Sequence, residues 1–243
     1  MKPFVLIATR AEDAAADPEF ALVEKYGGFE PGELIRWQLD RHEMPSYNLD
    51  DLSGIIVGGS PFNTSDDESV KSSTQRRVEA EMSSLLDEVV ERDFPFLGAC
   101  YGVGTLGRHE GATIDRTHSE PVSAVEITLT EAGVADPLLA GVQPSFYAMV
   151  GHKEAISTLP PHATLLATSV AAPVQMFKIK ENLYATQFHP ELDLPGVLNR
   201  IDVYKDHGYF PDGAIEQVRA QVKEHSIAEA QKVLRNFVKR YAR

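Results

Sequence analysis

One segment constrains the fold more than any other. The apolar run Phe94-Pro-Phe-Leu-Gly98 leads into Gly98-Ala-Cys100-Tyr-Gly102, and a helical pattern through Val103 and Leu106 follows. Glycines two positions before and after one reactive side chain permit a tight strand-to-helix turn. Such a turn lifts that side chain above the end of a sheet. It needs a buried strand in front of it and a helix packed behind it, so it commits the chain to an α/β architecture. Cys100 is the only cysteine. A cysteine after an apolar strand can be a small buried hydrophobe, but flanking glycines point to a nucleophile. The helix that starts beside it is expected to turn free N–H groups toward the sulfur and favour thiolate.

A second segment supplies what a thiol nucleophile lacks. Thr186-Gln-Phe-His189-Pro-Glu191 follows an apolar stretch. In an extended segment, positions 189 and 191 point to the same side, and Pro190 keeps the segment out of a helix. His189 is the candidate base, and later the acid that protonates a departing amine. Glu191 is the candidate orienter of its ring. Taken alone, His-Pro-Glu reads as a loop and Glu191 as a surface carboxylate. Two such segments in one chain make the catalytic reading of Cys100, His189 and Glu191 the stronger one.

The rest of the chain fits around these segments. Phe4–Ala8 reads as a central parallel strand. Residues 11–33 are acidic, carry Asp17-Pro18 and Gly27-Gly28, and read as a loop with a short helix. Leu34–Leu39 suits a helix end or a strand equally. Leu52–Val57 reads as an apolar strand ending in Gly58-Gly59-Ser60-Pro61. Asp66–Arg92 reads as a long helix with the stripe Val78, Met82, Leu85, Leu86 and Val89, and with Asp66, Asp67 and Glu68 in its first turn. Val122–Leu129 alternates and predicts an antiparallel strand. Ser145–Val150 and Ala163–Ser169 are short strands. Val174–Lys178 and Leu183–Gln187 form a hairpin around Lys180-Glu-Asn182 that delivers His189. From about 197 to 243 a helical extension with two helices is expected. Its last stripe is Ile227, Ala230, Leu234, Phe237, Val238 and Tyr241. The alternation predicts one domain over 1–243: a doubly wound, mostly parallel sheet flanked by helices, with an antiparallel portion. The site is expected at the carboxyl ends of the parallel strands.

Composition narrows the function classes. The chain has 243 residues, 43% of them hydrophobic, and a formal net charge of −13. No basic stripe is available for nucleic acid. No apolar run reaches membrane-span length, and the first residues read as a strand, not a signal peptide. One cysteine allows no internal disulfide, which fits a reducing cytoplasm. No His/Cys/Asp cluster points to a metal and no phosphate-binding glycine loop points to ATP, so no cofactor is expected. The oligomeric state is open.

Gly-Ala-Cys100-Tyr-Gly followed far downstream by Gln-Phe-His189-Pro-Glu191 resembles the class I glutamine amidotransferases. The likeness is in particular to stand-alone members similar to the glutaminase half of GMP synthase, and it runs from the first strand to about Leu192. It implies a flavodoxin-like sheet. It also implies hydrolysis of the glutamine side-chain amide to glutamate and ammonia through a Cys100 thioester. The implied oxyanion donors are the backbone N–H of Tyr101 and one N–H from the glycine turn after the second strand. Ser60 stands where the family has its second glycine, and Gly59 is the other choice. His152, in Gly151-His152-Lys153-Glu154, resembles a family segment that carries His-Gly-Asp near the site; lining the substrate pocket, a contact surface for an acceptor domain and a structural role are the three roles open to it. Residues 11–33 look like an insertion relative to the family.

One departure touches the substrate. The family reads Cys-x-Gly-x-Gln, and that glutamine helps hold the substrate. Here position 104 is glycine, so Gly104→Gln is expected to strengthen glutamine binding. Three readings stand. The first is a glutaminase that passes ammonia to a separate synthetase subunit. The second is a γ-glutamyl hydrolase or peptidase acting on larger γ-glutamyl amides. The third is a catalytically idle regulatory module. The partners expected are a small-molecule substrate, glutamine or a γ-glutamyl compound, and that synthetase subunit.

Overall fold

A computed structural model describes residues 1–205, 210 and 213–243. In chain order its elements are β1 (Phe4–Ala8), α1 (Asp13–Gly27), β2 (Leu34–Gln38), β3 (Gly54–Val57), α2 (Ser73–Glu91), β4 (Phe96–Ala99), α3 (Tyr101–His109), β5 (Thr113–Asp115), β6 (Glu120–Leu129), α4 (Glu131–Ala135), β7 (Ser145–His152), β8 (Ala155–Thr158), β9 (Thr164–Thr168), β10 (Met176–Ile179), β11 (Leu183–Thr186), α5 (Leu194–Tyr204), α6 (Ile215–Glu224) and α7 (Ala228–Tyr241). The main sheet has the order β2-β1-β3-β4-β11-β10-β9-β6-β7. Its first five strands run parallel, and the pairs from β11 to β7 are antiparallel.

Alternation along β1 explains the layering. Phe4 and Leu6 enter one core with Val23 of α1 and Leu234 and Phe237 of α7. Val5 and Ile7 enter the opposite core with Val78, Met82 and Leu85 of α2 and Leu106 of α3. A strand buried on both faces reads as an unbroken apolar run, as Phe4–Ala8 does. A third cluster joins Val197 and Ile201 of α5 and Val222 of α6 to Ala124 and Met149 on β6 and β7.

Three expectations need correction. Residues 11–33 hold more than a loop with a short helix: α1 is a helix of 15 residues, Asp13–Gly27. Pro18 inside it hides this from the sequence, because proline removes an N–H and costs a helix interior about 3 kcal/mol. The carbonyl it orphans, that of Ala14, accepts instead from Asn199 Nδ2 of α5 at 2.8 Å. Second, α2 starts at Ser73, not Asp66. Ser72 caps it by accepting from Gln75 N–H at 3.0 Å, and Asp66, Asp67 and Glu68 lie in the loop ahead. Third, the described residues after 193 hold three helices rather than two; positions 206–209, 211 and 212 of the expected extension lie outside the described residues. Leu34–Gln38 resolves as a strand.

Candidate active site

Four neighbouring parallel strands, β1, β3, β4 and β11, end at one edge of the sheet, and each contributes through its carboxyl end. Arg10 follows β1. Gly58, Gly59 and Ser60 follow β3. Cys100 follows β4, and His189 follows β11.

Cys100 has φ 55° and ψ −88°, a region a non-glycine residue rarely occupies. Its N–H donates to the Thr186 carbonyl at 2.8 Å, and its carbonyl accepts from Val103 N–H at 3.0 Å. Both bonds hold the strained turn. A Cβ on Gly98 would lie 2.7 Å from the Gly102 Cα. The helix thus crosses the strand end at a separation that only glycine at 98 allows. Tyr101 opens α3, so its N–H has no intrahelical acceptor.

His189 is held by its own N–H, which donates to the Met149 carbonyl of β7 at 2.9 Å. Its Nδ1 lies 2.9 Å from Glu191 Oε1. Arg200 of α5 joins the pair: its Nη2 donates to Glu191 Oε1 at 2.8 Å, and its Nη1 lies 2.9 Å from His189 Nδ1. The same Nη2 donates to Glu19 Oε1 of α1 at 3.0 Å, which also accepts from Arg10 Nε at 3.0 Å. Arg10 Nη1 donates to the Tyr204 hydroxyl at 3.0 Å. Five buried or nearly buried groups, Arg10, Glu19, Arg200, Glu191 and His189, thus form one chain. Sequence reasoning missed Arg10, Glu19, Arg200 and Tyr204. Only Arg10 carried a signal, its place two residues past a parallel strand.

This network sets the protonation states. Burial pushes the Cys100 thiol up to about 11, against the pull of Arg10 and Arg200. Desolvation thus works against the thiolate that the helix terminus favours. Burial also lowers the His189 imidazole; Glu191 opposes this and Arg200 adds to it. Burial would raise the Glu191 carboxyl, but His189 and Arg200 hold it well below the usual carboxylate range. With His189 neutral, the lasting cation beside Glu191 is Arg200.

Two cavities meet at Cys100, and Ser60, Cys100 and Gly151 border both. One is lined by His189, Arg10, Arg200 and the apolar walls Met149, Leu192 and Val197. The other is lined by Tyr101, Gly104, Glu154, Gln187 and His152. Cys100, His189, Glu191, Ser60 and Tyr101 are brought together. Gly59 is present but turned: its N–H points to Glu19 Oε1 at 3.3 Å. A Cβ there would strike Arg10 Nη2 at 2.3 Å, so its glycine is needed for close packing. Ser60, the other choice for the turn's oxyanion donor, borders both cavities at Cys100. His152 is buried between Glu120 Oε2 and the Glu154 carbonyl, each 2.9 Å from a ring nitrogen, so its ring serves the wall. Gly104 does not face an empty pocket. A Cβ there would lie 3.0 Å from Glu154 Oε1 and from Thr64 Cγ2 and Oγ1. A side chain at 104 therefore fits only where Glu154 and Thr64 give way by a few tenths of an ångström, which weighs against the expectation for Gly104→Gln. Among the described residues no three His, Cys, Asp or Glu side chains are grouped to hold a metal, and no helix is long and apolar enough to cross a membrane.

The family model for Glutamine amidotransferase class-I matches residues 31–195. One subunit of a glutamine-hydrolyzing GMP synthase from Methanobrevibacter smithii is 28% identical over 164 residues, covering 67% of this chain and 74% of that protein. A glutamine-hydrolyzing GMP synthase from Porphyromonas gingivalis is 28% identical over 146 residues, 60% of this chain. The match spans only 26% of that longer relative's length. The crystal structure of a glutamine amidotransferase from Thermotoga maritima superposes with a TM-score of 0.79 at 17% identity, covering 99% of this chain and 98% of that one. One from Methylobacillus flagellatus superposes with a TM-score of 0.74 at 16% identity, covering 100% and 96%. These two establish the likeness of fold. With the family model matching well over half of its length, the chain belongs to the class I glutamine amidotransferases.

Proposed function

We propose that the chain hydrolyses the side-chain amide of glutamine to glutamate and ammonia through a thioester on Cys100. The observation that carries this reading is the strained Cys100 backbone on a cavity that His189, paired behind it with buried Glu191, also lines. The productive tautomer is the one in which His189 Nδ1 donates to Glu191. It leaves the other ring nitrogen, Nε2, with a lone pair. Because thiol and imidazole rest neutral, the proton moves from sulfur to His189 as sulfur attacks the amide carbon. In this reading the N–H groups of Ser60 and Tyr101 stabilise the oxyanion. Collapse breaks the C–N bond, and His189 returns the proton to the departing ammonia. Water, activated by the same imidazole, then hydrolyses the thioester and restores the thiol. The reading treats residues 1–243 as one unit, since Arg200 and Tyr204 of α5 border the cavity.

A second reading rests on its own observation. The His189 side of Cys100 is walled by Met149, Leu192 and Val197, a lining that suits an amine larger than ammonia. A γ-glutamyl hydrolase or peptidase would place its leaving group there. The Methanobrevibacter smithii relative, by name one subunit of a GMP synthase, supports a third element: a separate synthetase that takes up the ammonia.

The test is ammonia or amine release from glutamine and from γ-glutamyl amides by the wild type and by Cys100→Ala. The variant is expected to fold, by circular dichroism, and to lose release to background. Retained release in pure Cys100→Ala contradicts the proposal.

A further inference from the structure

The cleft beyond Cys100 on the Gly104 side carries a carboxylate where an acyl chain has to lie. His189 borders only the cavity on the other side, and an acid that protonates a leaving amine must face that amine. A carbonyl carbon bonded to Cys100 Sγ therefore sends its leaving nitrogen toward His189. Its acyl chain runs the opposite way, into the cleft bordered by Tyr101, Gly104, Glu154 and Gln187. This step rests on the hydrolysis proposed above.

Glu154 follows β7 and is held by the loop after β3. Its Oε1 accepts from Thr64 N–H at 2.8 Å and from Thr64 Oγ1 at 3.0 Å, and its Oε2 accepts from Ser65 N–H at 2.7 Å. Arg108 of α3 anchors that loop by donating to the Thr64 carbonyl. The donors to Glu154 are neutral, and Oε2 keeps acceptor capacity beyond its single bond. Gln187 is buried on the same cleft, and its Oε1 has no hydrogen-bond partner among the described residues. A buried acceptor without a partner costs about 1–3 kcal/mol unless a ligand or water supplies the donor. A Cβ at 104 would lie 3.0 Å from Glu154 Oε1 and from Thr64, so glycine there lets the carboxylate sit close to the helix α3 backbone without displacement.

We propose that Glu154, with Gln187 Oε1, is the specificity-determining subsite for a primary ammonium on the acyl part of the substrate. Gly104 is glycine to admit that carboxylate. The substrates are then γ-amides of an α-amino acid, not simple carboxamides. Lys153 borders the same cleft, so a zwitterionic head meets both signs of charge there.

The experiment compares glutamine with 4-carbamoylbutanoate, the same amide without the α-amino group, on the wild type and on Glu154→Gln. The wild type is expected to favour glutamine in kcat/KM by about 30-fold or more, the loss typical of removing one partner of a buried charged contact. Glu154→Gln is expected to shrink that preference at least about tenfold, mainly through the KM for glutamine. Equal kcat/KM for both amides in the wild type overturns the subsite, whether or not the variant folds. An unchanged preference in a folded Glu154→Gln overturns it as well. If neither amide is turned over and a diazoketone analogue of glutamine leaves Cys100 unlabelled, the hydrolytic function falls and the subsite with it.

Discussion

Cys100 separates two regions that handle charge in opposite ways. On the His189 side, two guanidiniums and two carboxylates close on one another: Arg10 on Glu19, Arg200 on Glu19 and Glu191. On the Gly104 side, one carboxylate, Glu154, is held by the N–H and O–H groups of Thr64 and Ser65. Balanced buried charges offer a ligand little net field, but they fix geometry and protonation states. A carboxylate held by neutral donors has lone pairs left for an incoming cation. In this account the first region moves the proton and the second reads the substrate, and each can be broken without the other.

The largest effect is expected from His189→Ala, a loss in kcat/KM of about 10⁴ to 10⁶ on every substrate, with Glu191→Gln losing about 10² to 10⁴. The double variant should lose little more than His189→Ala alone, because the members act as a unit. Multiplicative losses would show that the two do not cooperate.

Arg200→Met probes whether the charge circuit matters. It leaves Glu19 and Glu191 without their shared cation, and breaking such a buried arrangement costs about 3–5 kcal/mol of stability. Arg200 also lowers the His189 pKa, so its removal raises that pKa. The acidic limb of the kcat/KM profile should move to higher pH, and Arg200→Lys should restore part of the shift. A limb that stays in place would reduce Arg200 to a structural role.

Gly104→Gln sharpens the other side. The tight approach of a side chain at 104 to Glu154 and Thr64, 3.0 Å at its Cβ, predicts a loss of about 1–3 kcal/mol in stability or in glutamine binding. Tighter glutamine binding would show that the Glu154 position yields easily. The smallest effect is in thiol chemistry. With the Cys100 thiol pushed up to about 11 by burial, its alkylation rate should still climb about tenfold per pH unit between about pH 8 and 10. A plateau by about pH 8.5 would mean an ordinary or activated thiol.

These two regions also differ in how far the sequence revealed them. The elbow, the parallel strands and the His189–Glu191 spacing were legible, because each is a local pattern with one physical meaning. So was the α7 stripe, whose Ala230, Leu234, Phe237 and Val238 are buried. Helix α1 was not, since Pro18 argues against a helix until Asn199, far along the chain, satisfies the Ala14 carbonyl. The charge circuit was not legible either, because Arg10, Glu19 and Arg200 meet only through the packing of α1 and α5 beside β1. At Gly104 the sequence showed a missing side chain, and only the fold shows that Glu154 and Thr64 occupy the space. At Cys100 the sequence showed the helix terminus that favours thiolate but not the burial that opposes it.

The central claim is that Cys100 carries the acyl group between amide cleavage and hydrolysis. Its most direct test is rapid acid quench of wild-type protein turning over glutamine or a γ-glutamyl amide, followed by peptide mass analysis. The account predicts a peptide containing Cys100 heavier by one γ-glutamyl group, and its absence in Cys100→Ala. Turnover without such an adduct, together with activity surviving in Cys100→Ala, would contradict it.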